Sequence, residues 1–168
     1  PLISNELVVP AFDEARRILG RGARIEVEPA GWQVVTAPHG APKAALDVHC
    51  TDGAWRDDLG LAGTFFRELM ATTPAGTLIG YGAPVTVFIV RSITTHNGCS
   101  LGPATDYVTV EAGSMRNSRR LLVHEVAHAC GLWHTRRPNN LMVSENPGEE
   151  VTGWQASIMR TSRHVTYF

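Results

Sequence analysis

Two histidines four residues apart, a glutamate beside the first and a third histidine six residues beyond the second could together hold and use a divalent cation. They lie in the segment His124-Glu125-Val126-Ala127-His128-Ala129-Cys130-Gly131-Leu132-Trp133-His134, which has the pattern H-E-x-x-H-x-x-G-x-x-H. On an α-helix, positions four apart are about one turn apart and about 40° round the axis, so His124 and His128 can aim ring nitrogens at one point. Zinc takes imidazole nitrogen at about 2.0–2.1 Å, and two such rings supply half of a tetrahedron. Glu125 stands about 100° further round the helix, beside the metal and not on it. A general base must stand there to take a proton from water. Gly131 can adopt the left-handed conformation that ends a helix, after which His134 can reach the same point from another side. From average residue frequencies, the five fixed types coincide by accident in on the order of one chain in 10⁵ of this size. H-E-x-x-H alone would be a much weaker signal.

Elements that could position these residues can be read along the chain. A helix beginning near Ser118 carries the motif. In projection Leu122, Val123, Val126, Ala127, Ala129 and Cys130 fall on one broad apolar face, opposite His124, Glu125 and His128. Residues 7–20 read as an amphipathic helix through Val8, Phe12, Ala15, Ile18 and Leu19, with Gly20 and Gly22 marking its end. Polar and apolar residues alternate over 24–28, which suggests a strand, with 32–36 as its partner across the Pro29-Ala30-Gly31 turn. A surface loop over 37–45 follows, then a helix over 58–72 and an irregular Gly/Pro-rich stretch over 73–84. Val85 to Val90 is the clearest strand, apolar enough to be central in a sheet. Tyr107 to Glu111 is another strand. A loop over 135–140 and a last helix near 151–161 complete the chain.

Bulk properties exclude some classes. The chain has 168 residues, 43% of them hydrophobic and 18% charged, with a formal net charge of −1. That describes one globular domain able to bury a core, with no global signal for nucleic acid or an anionic membrane. The local run Arg16, Arg17, Arg21 and Arg24 reads as a solvated helix face. No stretch approaches the ~18 apolar residues of a membrane span, and no signal peptide is visible. Cys50, Cys99 and Cys130 allow any one of three single bridges. Cys130, on the apolar side of its helix, is expected to be buried. His39, His49, His96 and His164 share no ligand spacing and read as surface or structural residues. Asp57, Asp58, Glu149 and Glu150 read as residues near helix starts, where the dipole favours them, and Glu145 as a solvated loop residue.

The long motif, followed by Asn140-Leu141-Met142-Val143 with Met142 eight residues after His134, resembles the signature of the metzincin zinc peptidases. The spacing is closest to their matrixin-like branch. The match is specific over 124–142 and architectural elsewhere. The resemblance implies an α+β fold and a single metallopeptidase catalytic domain over 1–168. An upper subdomain, 1–131, would hold a twisted mixed sheet, a backing helix and the active-site helix. A small, largely irregular lower subdomain, 132–168, would end in a helix. It further implies one catalytic Zn²⁺ on His124, His128 and His134, Glu125 as general base, Gly131 as the helix stop, and Met142 packed beneath the imidazoles. The segment Asn97 to Gly102 would be an edge strand on the cleft rim, where an extended peptide or protein substrate adds as a further strand. Residues 143–150 would help wall the pocket for the side chain after the scissile bond.

The sequence departs from the family pattern in its short opening and in the segment holding Cys50 and the 58–72 helix. No cysteine switch is visible, and calcium has no motif to place it. The expected reaction is peptide-bond hydrolysis by a secreted or extracytoplasmic monomer, with zinc polarising the carbonyl and Glu125 passing a proton from water to the leaving amine. No second electrophile is identifiable. Ser144 stands where some branches place a tyrosine ligand, and neither Tyr107 nor Tyr167 is marked as a substitute, so three histidines plus solvent are expected at the metal. Two rivals remain: an inactive binding module on the same scaffold, and a zinc hydrolase of a non-peptide amide or ester.

Overall fold

A computed structural model of the chain describes residues 3–34, 41–50, 60–72 and 82–167. The first helix, α1 (Asn5–Ala23), buries Leu7, Ala11, Ala15, Ile18, Leu19 and Ala23 along one stripe. It outruns the expected 7–20, and Gly20 and Gly22 lie inside it. At Gly22 the small residue serves packing, because a Cβ there would fall 2.8 Å from the Cβ of Val151. The helix stops instead at Arg24, which is left-handed at φ 55°, and the Ile25 N–H closes onto the Leu19 carbonyl at 3.2 Å.

Residues 24–34 form no strand, so the expected hairpin of 24–28 with 32–36 is not found; positions 35 and 36 lie outside the described residues. Alternation marks a segment with one apolar side but cannot supply a pairing edge. Ile25 and Val27 pack against the core without entering a sheet. Of the loop expected over 37–45, the last three residues form a short 3₁₀ turn, Lys43–Ala45, and positions 37–40 lie outside the described residues. So do most of the stretch read as irregular (73–81) and Asp57 and Asp58.

Five strands are present among the described residues: β1 (Asp47–His49), β2 (Thr86–Val90), β3 (Ser92–Thr94), β4 (Gly98–Ser100) and β5 (Tyr107–Glu111). β2 runs parallel to β5 and β4 antiparallel to it, in the order β2-β5-β4, while β1 and β3 form a separate parallel pair. Among the described residues, the apolar run expected to be central is therefore an edge strand of this mixed sheet, and β5 is the centre. The run is apolar because both its faces are covered. Val87 and Ile89 meet one hydrophobic cluster, and Phe88 and Val90 meet another.

The second cluster accounts for the helix expected over 58–72, observed as α2 (Leu61–Ala71). Its Phe66 is buried and stacks on Phe88 with ring centroids 4.4 Å apart. The first cluster joins α1 to the motif-bearing helix α4 (Arg120–Ala129), which follows the short α3 (Ala112–Asn117), and to the last helix, α5 (Gly153–Arg160). α5 begins with a capping box between Thr152 and Gln155. The architecture is mixed α+β, with five α-helices among the described residues. None of them is long and apolar enough to cross a membrane.

Candidate metal centre

The helix α4 is buried on more sides than its projection suggests. Its apolar face packs into the core, but His124 and Glu125 on the opposite side are also only 3% and 5% exposed. The chain leaves the helix as the glycine predicts. Gly131 has φ 93°, its N–H meets the His128 carbonyl at 2.8 Å, and Leu132 N–H reaches Ala127 at 3.0 Å. That turn brings His134, on the solvent side, back over the helix.

The three histidines predicted as ligands converge, each offering one ring nitrogen within 4.8 Å of the others. His134 Nε2 lies 3.2 Å from His124 Nε2 and 3.1 Å from His128 Nε2. Tetrahedral bonds of about 2.0–2.1 Å would set neighbouring nitrogens about 3.3–3.4 Å apart, so the spacing suits one small cation. Tautomers are set from behind. His124 Nδ1 lies 2.7 Å from the Leu141 carbonyl and His128 Nδ1 lies 2.7 Å from the Leu132 carbonyl. A carbonyl only accepts, so each Nδ1 carries the proton and each Nε2 presents a lone pair. Burial holds all three imidazoles below the usual histidine range, His128 down to about 4. They are therefore neutral near pH 7, as ligation requires.

Glu125 has the opposite perturbation. Burial pushes its carboxyl up to about 8, and it accepts no hydrogen bond from the described residues. Its place depends on Gly98 in β4. A Cβ at that position would fall 2.6 Å from both Cγ and Cδ of Glu125, well inside van der Waals contact. β4 therefore forms the wall against which the carboxylate rests. It is also a sheet edge among the described residues. Asn97 and Cys99 face β5, as the bond from Glu111 N–H to the Asn97 carbonyl shows. Alternation then leaves the backbone groups of Gly98 and Ser100 directed away from the sheet.

Met142 is fully buried, and its N–H donates to Asn140 Oδ1 at 2.9 Å. Asn140, also fully buried, exchanges two amide bonds with Gln155, at 2.8 and 2.9 Å. Leu141 N–H bonds the Glu150 carbonyl at 2.8 Å and Thr135 N–H bonds the Met142 carbonyl at 2.9 Å. The turn presenting the Leu141 carbonyl to His124 is thus tied to the cap of α5.

Sequence reasoning missed Gly98, Asn140 and Gln155. The Thr152-x-x-Gln155 capping pattern was the one available signal, and nothing local connected it with Asn140. Glu149 and Glu150 are not helix-dipole residues, since Thr152 caps α5. Glu149 pairs with Arg17 and Arg120 at 2.9 and 2.8 Å, and Glu150 faces Arg137 at 3.9 Å. Arg120 also donates to the Pro147 carbonyl at 3.1 Å, which ties the 147–149 loop to α4.

Ser144 and Glu145 are exposed. Tyr107 is buried in the second cluster, and the Tyr167 hydroxyl donates to the Arg160 carbonyl at 2.8 Å. His164 is structural, bonding the Ala83 carbonyl through Nδ1 at 2.8 Å. His49 is exposed at the end of β1, and His39 lies outside the described residues. His96 is exposed, as a surface residue would be. Cys50 and Cys99 form a disulfide, compatible with an oxidising compartment, and Cys130 is free and buried. No protein-family model matches the chain, and no curated protein matches it.

Proposed function

We propose that the protein is a zinc-dependent endopeptidase of the metzincin type, acting on extended peptide segments outside the cytoplasm. The observation that carries the reading is the convergence of three imidazoles, two of them tautomer-locked, beside a buried carboxyl group that no other group engages. His124, His128 and His134 would hold the ion. When bound, zinc supplies a Lewis acid that acidifies water and polarises a carbonyl.

The chain's own residues supply the rest. The outward backbone groups of Gly98 and Ser100 pair with a substrate strand and hold its scissile bond over α4. Beside a bound cation, whose charge favours the ionised form, Glu125 would accept the proton of the attacking water at a carboxylate oxygen. It then delivers that proton to the departing amine as the carbon–nitrogen bond breaks. The wall formed by Gly98 and the burial of Glu125 keep bulk water from competing for that proton. Met142, Asn140 and Gln155 hold the turn that locks the His124 ring.

The test is digestion of a proteome-derived peptide library by zinc-loaded protein, with cleavage sites mapped by mass spectrometry. Wild type should cut internal peptide bonds. Glu125→Gln should lose at least ~10²-fold in rate while retaining metal. No cleavage by wild type would end the peptidase reading. Turnover of small esters alone would favour the non-peptide hydrolase, and binding without turnover the inactive module.

A further inference from the structure

The ring of His124 is set by one backbone atom, the Leu141 carbonyl 2.7 Å from its Nδ1. That carbonyl belongs to a turn outside any helix or strand, so partners elsewhere must hold it. One of them is an amide pair. Asn140, fully buried, directly precedes Leu141, and Gln155 lies in the first turn of α5. Asn140 Nδ2 donates to Gln155 Oε1 at 2.8 Å, and Gln155 Nε2 donates to Asn140 Oδ1 at 2.9 Å.

The orientation of both amides is dictated from outside the pair. Backbone N–H groups only donate, so the atoms they meet must be the oxygens. Thr152 N–H donates to Gln155 Oε1 at 2.9 Å, and Met142 N–H donates to Asn140 Oδ1 at 2.9 Å. Each NH₂ group is left facing the other residue's oxygen. The cap of α5 does not need this arrangement. A glutamate at the same place in a capping box would accept the Thr152 N–H equally well. The donor half of the Gln155 amide therefore takes no part in the cap, and its one bond goes to Asn140.

We propose that Gln155 is a positioning residue for the metal ligand His124, so that the start of the last helix governs how tightly the centre holds its cation. The path runs from Gln155 Nε2 to Asn140, through the turn that Asn140 braces, and from the Leu141 carbonyl to the His124 ring. Groups behind a metal ligand fix its tautomer and direction, and losing one typically weakens metal binding about 10–10²-fold. The inference rests on the metal-site part of the reading above and not on the reaction carried out there.

The experiment measures zinc affinity at pH 8 by competition with a chromophoric chelator, with melting temperatures of the metal-free proteins alongside. Gln155→Glu keeps the shape and the cap acceptor but sets a carboxylate oxygen against Asn140 Oδ1. Its zinc affinity should fall about tenfold, although added negative charge alone would attract a cation. In an Asn140→Ala background the same substitution should change affinity by less than about threefold, because the bond it breaks is already gone. Met159→Ala removes buried packing from the same helix and none of these bonds. It should lower the melting temperature and leave zinc affinity within about threefold of wild type. Unchanged affinity in Gln155→Glu would overturn the inference and leave the zinc centre standing. An equal loss in Met159→Ala would also overturn it, reducing Gln155 to general support of the fold. A selective loss in Gln155→Glu supports it whether or not wild type cleaves peptides, and a wild type that binds no zinc would remove both readings.

Discussion

Replacing Glu125 by Gln in the metal-free protein should stabilise the fold by an amount that depends on pH. Burial moves the carboxyl from its ordinary 4.5 up to about 8. Because the folded value is the higher one, the folded state keeps a proton that the unfolded chain releases between these pH values. Stability therefore falls as pH rises through that window. The cost is under about 1 kcal/mol at pH 5, about 3 kcal/mol at pH 7 and roughly 4–5 kcal/mol above pH 8. A domain of this kind is stable by only about 5–15 kcal/mol, so the effect is large. Gln has the shape of the protonated acid and does not titrate. The depressed histidines act in the opposite sense at lower pH, where stability rises with pH, but they are present in both proteins and cancel in the difference. The assay is urea unfolding of chelator-treated wild type and Glu125→Gln at pH 5 and pH 8. The variant's advantage should widen by several kcal/mol between the two, and added zinc should narrow it. The same difference at both pH values would show that Glu125 is not buried as described.

Three further outcomes are expected. Purified protein should carry about one zinc per chain after dialysis, and His128→Ala should lose most of it; full occupancy in that variant would mean the ligands are misassigned. Gly98→Ala should force the Glu125 side chain from its place, lowering peptidase activity at least ~10-fold with zinc content unchanged; normal activity would show that the β4 wall is unimportant. Cys130, whose thiol burial pushes up to about 11, should resist thiol reagents in the folded, zinc-loaded protein. In unfolded protein Cys130 alone should label before reduction and all three cysteines after reduction with a phosphine, and rapid labelling of Cys130 in native protein would contradict its buried position.

The spacing of the sequence determined which three imidazoles could meet, because a helical turn and a glycine stop are local properties of residues 124–134. The same locality made α1, α2 and β5 legible, since each carries its own periodicity. The reading failed wherever a partner decides. Residues 24–28 alternate like a strand but have no edge to pair with. β2 is apolar because clusters cover both its faces, and it still lies at the edge of the three-stranded sheet. Gly22 lies inside a helix because Val151, far along the chain, occupies the space beside it. Tertiary structure alone selected Cys50 with Cys99 among the three bridges. It alone set Gly98 against Glu125 and tied Asn140 to Gln155. Each of these is a contact between segments whose sequence separation carries no period or spacing. Their residue types become informative only once the chain has closed around α4.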